Sequence, residues 1–105
     1  MELNSKTANE LIISGVPTVI DFSAESWCAP CRAIAPIVDK LSEKYLDRVS
    51  IGKIDVDEND EIVSSFNIRN VPTIIFFKNG EIVNKHVGAI SEAELEKKVE
   101  ELLNT

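Results

Sequence analysis

Residues 27–31 read Trp27-Cys28-Ala29-Pro30-Cys31 and contain both cysteines of a 105-residue chain. The spacing places Cys28 just before, or at, the first turn of a predicted helix, with Cys31 about one turn further on. The two sulfur atoms are then near enough to form a disulfide. Pro30 suits the first turn because the N–H that proline lacks is not needed there. The segment therefore predicts a cysteine pair at the junction of a strand and a helix.

The two cysteines of this pair are expected to differ in reactivity. Unpaired N–H groups and the positive end of the helix dipole favour an anion at Cys28, and such a position lowers the pKa of a thiol. Cys31 lies one turn inside the helix and should be more buried and less ionised. Thiol–disulfide exchange needs this asymmetry, since one sulfur attacks and the other resolves the mixed disulfide.

Other uses of two cysteines fit the sequence less well. A zinc site needs further ligands, and the chain has no third cysteine and one histidine, His86. An iron–sulfur cluster needs four thiolates, so it would require an oligomer. Two inert core cysteines would leave Pro30 and the strand-to-helix junction unexplained. We therefore expect no metal and no bound cofactor.

Outward from this segment, helix and strand patterns alternate. The apolar spacing predicts helices at residues 7–14, 28–46, 59–67 and 91–103, and strands at residues 17–23, 49–56, 72–78 and 81–87, with a very short strand at Glu2–Leu3. Asn79-Gly80 indicates a hairpin, Ser91 with Glu94 a capping box, and Pro36 a kink. Such alternation predicts parallel β-α-β units, and the hairpin adds antiparallel strands. We expect a mixed sheet with helices on both faces.

The composition predicts one globular domain, residues 1–105, with 44% hydrophobic and 28% charged residues. The net charge of −7 argues against a nucleic-acid partner. The longest apolar run, Ile74 to Phe77, is far too short to span a membrane, and the N-terminal residues do not follow the pattern of a signal peptide. We expect a cytoplasmic monomer without a membrane partner.

Two charged residues stand in strands that are otherwise apolar. Asp21 lies between Ile20 and Phe22, and Lys53 lies between Gly52 and Ile54. A buried, unpaired carboxylate tends to take up a proton. Asp21 could face solvent, could pair with Lys53, or could lie beneath the cysteines and take the proton of Cys31.

Seven short motifs, in the same order along the chain, carry a resemblance to a known family. They are Asp21-Phe22, Trp27-Cys28-Ala29-Pro30-Cys31-Arg32, Ala35-Pro36, Lys53-Ile54-Asp55-Val56-Asp57, Ile68-Arg69-Asn70-Val71-Pro72-Thr73, Phe77-Lys78-Asn79-Gly80 and Val87-Gly88-Ala89. In these motifs the chain resembles the thioredoxin family over essentially its whole length. The resemblance implies an α/β thioredoxin fold, in which four helices flank a mixed five-stranded sheet of order 1-3-2-4-5.

The resemblance also implies roles for individual residues. Cys28 would attack and Cys31 would resolve, while Asp21, with Lys53 beside it, would manage the proton on Cys31. Pro72 would be a cis-proline facing the disulfide, and the backbone of Val71 would pair with an extended substrate segment. The surface around Cys28 that binds substrate would consist of Trp27, Ala29, Pro30, Val71, Pro72, Gly88 and Ala89.

A protein of this family would be a dithiol–disulfide oxidoreductase that reduces disulfide-containing substrate proteins without a bound cofactor. A thioredoxin reductase would return it to the dithiol. Two alternatives are a thioredoxin-fold binding module without redox turnover, and an oxidant or isomerase that runs the same chemistry in the other direction.

Three positions depart from the family pattern. Ala29 stands where glycine is most frequent, and Ser23 stands where a second tryptophan is often found. The segment Glu25-Ser26 carries one extra residue, so the loop before Trp27 should bulge. Ser23 should make the platform beside the active site more polar or looser.

Overall fold

The computed structural model describes all residues, 1–105, and contains one five-stranded sheet. Its strands are β1 (Glu2–Leu3), β2 (Thr18–Ser23), β3 (Ser50–Asp55), β4 (Thr73–Lys78) and β5 (Glu81–Val87). Their spatial order is β1-β3-β2-β4-β5. Strand β3 pairs in parallel with both β1 and β2. Strand β4 pairs antiparallel with β2, and β5 pairs antiparallel with β4. The predicted mixed sheet, its order and the short N-terminal strand are therefore confirmed.

Four α-helices connect the strands: α1 (Ser5–Ser14), α2 (Ala29–Lys44), α3 (Asp60–Ser65) and α4 (Glu92–Leu103). Helix α1 begins earlier than predicted because the Asn4 side chain accepts a hydrogen bond from the Thr7 N–H and caps it. Helix α3 is shorter than predicted because Phe66 is its C-cap and Asn67 adopts the left-handed backbone conformation, with φ 53°. No helix is both long and apolar enough to cross a membrane.

The predicted capping box of α4 is only half present. The Ser91 hydroxyl accepts a hydrogen bond from the Glu94 N–H at 3.1 Å, as predicted. The Glu94 side chain does not return to the Ser91 backbone, and its carboxylate lies 3.9 Å from Nδ1 of His86. Pro36 lies inside α2, which continues to Lys44.

The sheet separates two hydrophobic cores, because successive side chains of a strand point to opposite faces. Val19 of β2 and Ile51 of β3 pack with apolar residues of α2 and α4 on one face. Ile20 of β2 and Ile54 of β3 pack with residues of α1 on the other face. All six residues of β2 are buried, and the turn that follows this enclosed strand leads into α2.

Gly52 provides a test of how closely β1 packs on β3. A Cβ atom at this position would lie 2.6 Å from Cδ1 of Leu3 and 3.0 Å from the Met1 carbonyl oxygen. We expect Gly52→Ala to destabilise the protein by about 1–3 kcal/mol through overpacking, measured by guanidinium unfolding. The same substitution should be less costly in a Leu3→Ala background, because the nearest atoms are then absent. Strictly additive effects of the two substitutions would contradict this packing.

Candidate active site

Cys28 is the N-cap of α2 and marks the point where the chain turns from β2 into this helix. Its backbone is extended, with φ −103° and ψ 106°, and its Sγ accepts a hydrogen bond from the Cys31 N–H at 3.2 Å. Ala29 and Pro30 are the first two helical residues. The sulfur of Cys28 thus lies where the unpaired N–H groups of the first turn stabilise negative charge.

Cys28 and Cys31 are joined as a disulfide, with their Cα atoms 5.2 Å apart. Cys28 is 6% exposed, whereas Cys31 is completely buried. A partner thiolate can therefore approach the Cys28 side of the bond more easily than the Cys31 side. The predicted difference in burial between the two cysteines is therefore confirmed.

A second chain segment faces the sulfur of Cys28. The carbonyl oxygen of Val71 lies 3.9 Å from Cys28 Sγ, and the Val71–Pro72 peptide bond is cis, as the resemblance implied. The Gly88 N–H donates a hydrogen bond to the Pro72 carbonyl at 2.8 Å. This bond holds the segment before β4 against the segment after β5 and places Ala89, which is exposed, near the same edge.

An open, largely apolar groove of about 360 Å³ runs beside the cysteine pair. It is lined by Trp27, Val56, Val63, Ile68, Arg69, Asn70 and Val71. The Trp27 ring is exposed, and its indole N–H donates a hydrogen bond to Asp57 Oδ2 at 2.8 Å. Asp57 therefore holds the ring in position at the edge of the groove, a role that the sequence analysis did not assign.

The extra residue before Trp27 is taken up in a tight turn. The N–H groups of Trp27 and Cys28 both donate to the Ala24 carbonyl, at 3.1 and 2.8 Å. Arg32 closes the turn, since its Nη1 donates to the Glu25 carbonyl at 2.9 Å. The predicted bulge is therefore a compact turn that is anchored to α2.

Ser23 does not contribute to the exposed platform. It ends β2 and is buried, so the polarity expected from it is not on the surface.

Comparison with known proteins identifies the family of this fold and cysteine pair. The model of the thioredoxin family matches residues 1–101. The chain belongs to the thioredoxin family. It is a protein dithiol–disulfide oxidoreductase with an active-site cysteine pair, Cys28 and Cys31.

Individual thioredoxins show how far the similarity extends. The chain is 41% identical over 86 residues to thioredoxin 1 of Synechococcus elongatus, covering 82% of this chain and 79% of that protein. It is 40% identical over 102 residues to the chloroplastic M-type thioredoxin of Pisum sativum, covering 96% of this chain and 59% of that protein. The chain thus spans less than two thirds of that plant protein.

Solved thioredoxin structures share the fold. A mutant thioredoxin of Halobacterium salinarum has a TM-score of 0.85 at 31% identity, covering 97% of this chain and 88% of that chain. Plasmodium falciparum thioredoxin has a TM-score of 0.83 at 33% identity, covering 93% of each chain.

Asp21 lies inside this thioredoxin fold rather than at its surface. It is 1% exposed, and neither carboxylate oxygen has a hydrogen-bond partner. It alternates with Ile20 and Phe22, so it shares the sheet face of Val19, onto which α2 packs. Burial raises its pKa from 3.8 to about 7, and the Lys53 charge only partly opposes this.

The alternative in which Lys53 pairs with Asp21 is wrong. The two residues are neighbours in the register of β2 and β3, but no ion pair joins them. Lys53 instead forms ion pairs with Glu2, Glu25 and Asp39. These three carboxylates were not predicted from the sequence, although Asp39 lies two turns after Cys31 on the same helix and could have been found from helical spacing.

The pKa of Asp21 makes stability depend on pH. Its folded-state pKa of about 7 exceeds its value of about 3.9 in an unfolded chain. The stability that Asp21 contributes is therefore fully present below about pH 4 and is lost as the pH rises through about 7. Asp21→Asn cannot ionise. Its free energy of unfolding should therefore rise relative to that of the wild type by about 4 kcal/mol between about pH 4 and about pH 7. Urea unfolding across this pH range measures the gain.

The matched control for that measurement is Asp47→Asn, which removes an exposed carboxylate. It should follow the wild-type pH dependence. A difference between Asp21→Asn and wild type that stays constant with pH would show that Asp21 ionises normally.

Proposed function

We propose that Cys28 is the attacking sulfur and Cys31 the resolving sulfur in the reduction of protein disulfides. The Cys28 thiolate forms a bond to one sulfur of the substrate, and the other substrate sulfur leaves with the electron pair. The Cys31 sulfur then attacks Cys28, releases the second substrate thiolate and forms the Cys28–Cys31 disulfide. The observation that carries this order is that Cys28 is the less buried cysteine and caps the helix, while Cys31 is completely buried.

The second step requires Cys31 to lose its proton in the protein interior. We propose that Asp21 accepts this proton. Its carboxylate is buried without a hydrogen-bond partner and faces α2. A base with a pKa of about 7 is matched to proton transfer near neutral pH, because a large share of it is unprotonated and still basic. Lys53 modulates the proton affinity of Asp21 through its charge.

The substrate segment is proposed to bind beside Val71 as an additional extended strand. Strand addition uses backbone hydrogen bonds for affinity and side-chain pockets for specificity. Trp27 and Val71 flank Cys28 with apolar surface. The exposed residues Ala29, Pro30 and Ala89, with Gly88 and the cis-proline Pro72, add uncharged residues to this surface.

The electron donor that we propose is a thioredoxin reductase, and the cysteines themselves carry the electrons, so that no bound cofactor is needed. The structure contains no group of three or more His, Cys, Asp or Glu side chains that could hold a metal ion. We propose the cytoplasm as the location, because a reducing compartment maintains the dithiol. Equilibration with a glutathione buffer tests the direction of the reaction, and a potential in the oxidising range would favour an oxidant or isomerase.

The roles of the two cysteines are tested by single substitutions. The wild type should accelerate the reduction of insulin by dithiothreitol above the rate in buffer alone. Cys28→Ser should lose this acceleration, because no attacking sulfur remains. Cys31→Ser should retain the first step and accumulate mixed disulfides with substrate proteins, detected by mass spectrometry. Recovery of mixed disulfides from Cys28→Ser but not from Cys31→Ser would reverse the assignment. Biological activity that survives in the double Cys→Ser variant would favour a binding module without turnover.

The proposed docking surface is tested by a charge placed beside the cysteines. Val71→Asp should lower kcat/KM for a protein disulfide by roughly tenfold or more, since it buries a charge under the substrate. Reduction of a small aromatic disulfide should change much less, because that substrate does not cover the surface. Leu46→Asp, at an exposed apolar residue after α2, is the control. Equal losses for both substrates would contradict docking at Val71.

A further inference from the structure

The ammonium group of Lys53 is surrounded by carboxylates from three separate elements. Its Nζ lies 3.2 Å from Asp39 Oδ1 of α2, 3.7 Å from Glu25 Oε2 of the turn before α2, and 3.8 Å from Glu2 Oε1 of β1. With Asp39 it also forms a hydrogen bond to Oδ2 at 3.3 Å. Asp21, the register neighbour of Lys53, receives no such contact.

This arrangement directs Lys53 away from the buried carboxylate. The Lys53 side chain is only 10% exposed, but its three partners are much more exposed and lie toward solvent. The side chain thus starts beside Asp21 on the sheet and ends among surface carboxylates. Lys53, Glu25, Asp39 and Glu2 are also the charged groups that act on Asp21, so the cluster and the buried acid form one electrostatic unit.

The charge of Lys53 is maintained within this cluster. Burial lowers the pKa of Lys53, but the hydrogen bond to Asp39 and the negative charges of Glu25 and Asp39 outweigh burial and raise it. If the ammonium instead contacted Asp21, an opposite charge at that range would lower the carboxyl pKa by about 1–3 units. Asp21 would then be a weaker base for a thiol proton.

We propose that Glu2, Glu25 and Asp39 are positioning residues, which hold the Lys53 ammonium out of contact with the Asp21 carboxylate so that Asp21 stays basic enough to take the Cys31 proton. This rests on the proposed proton transfer in the release step. There the proton passes from Cys31 to Asp21, the Cys31 sulfur bonds to Cys28, and the substrate thiolate leaves. Asp21 then returns the proton to water.

Glu25 gives the turn with the extra residue a function in this scheme. The Arg32 guanidinium anchors the turn through the Glu25 carbonyl, while the Glu25 side chain reaches Lys53. Glu25 therefore links the position of the loop to the Lys53 charge that acts on Asp21.

The test is the titration midpoint of Asp21, read from its carboxyl carbon by NMR. In the double variant Glu25→Gln, Asp39→Asn, the midpoint should move to lower pH by about one unit, because Lys53 is then able to turn toward Asp21. The control pair Asp47→Asn, Glu81→Gln removes the same charge from exposed positions elsewhere and should leave the midpoint unchanged. An unchanged midpoint in the first variant would overturn the proposal.

A Lys53→Met background separates positioning from direct repulsion between carboxylates. Direct repulsion acts on Asp21 whether or not Lys53 is present, whereas positioning acts only through Lys53. We therefore expect most of the midpoint shift to disappear in the Lys53→Met background. A shift of equal size in both backgrounds would show that the carboxylates act directly and would overturn the positioning role.

The rate of mixed-disulfide release distinguishes failure of this proposal from failure of the proposed function. If the release rate of the double variant follows the new Asp21 midpoint, both hold. If the NMR midpoint moves while the pH profile of release stays in place, Asp21 does not take the Cys31 proton, and the proposed function of Asp21 fails. If neither moves, only the positioning role fails, since wild-type release can still follow the wild-type Asp21 midpoint.

Discussion

The complete burial of β2 is the constraint on which the rest of the structure depends. This strand lies between β3 and β4 in the sheet and between helices on both faces, so none of its six residues reaches solvent. A carboxylate in such a strand loses its hydration, and burial is the largest cause of the raised pKa of Asp21. Where β2 ends, the chain turns and starts α2 at Cys28. The same strand thus sets both the desolvation of the acid and the location of the disulfide.

Three separate parts of the chain then supply different properties to one site. The start of α2 supplies unpaired N–H groups and, with them, stabilisation of a thiolate. The segment around Val71 and Pro72 supplies a backbone carbonyl next to Cys28. The interior of the sheet supplies Asp21, a buried carboxyl group with a pKa of about 7, which is the proton acceptor that we propose. In the proposed mechanism a protein substrate contacts only the first two parts, so changes at Asp21 should act on the release step and leave docking unaffected.

Much of the fold could be predicted because its signals are local. Asn79-Gly80 predicted a hairpin, and mostly apolar runs predicted β2 and β3 within one residue of their observed bounds. The errors occurred where contacts distant in sequence compete with local signals. Glu94 faces His86 rather than completing the cap of α4, and Ser23 is enclosed by the sheet. The resemblance carried the strand order and the cis-proline, which no local pattern determines.

By itself, the sequence determined the candidates for the chemistry: a Cys-x-x-Cys pair at a helix start, a carboxylate in an apolar strand, and a lysine in the next one. Those features depend on spacing and periodicity, which are written along the chain. Only the tertiary structure decided which charges meet. Lys53 faces Asp39, Glu25 and Glu2 instead of Asp21, because strand pairing brings backbones into register while the direction of a long, charged side chain depends on everything packed around it. The electrostatic environment of Asp21 is therefore a property of the assembled fold.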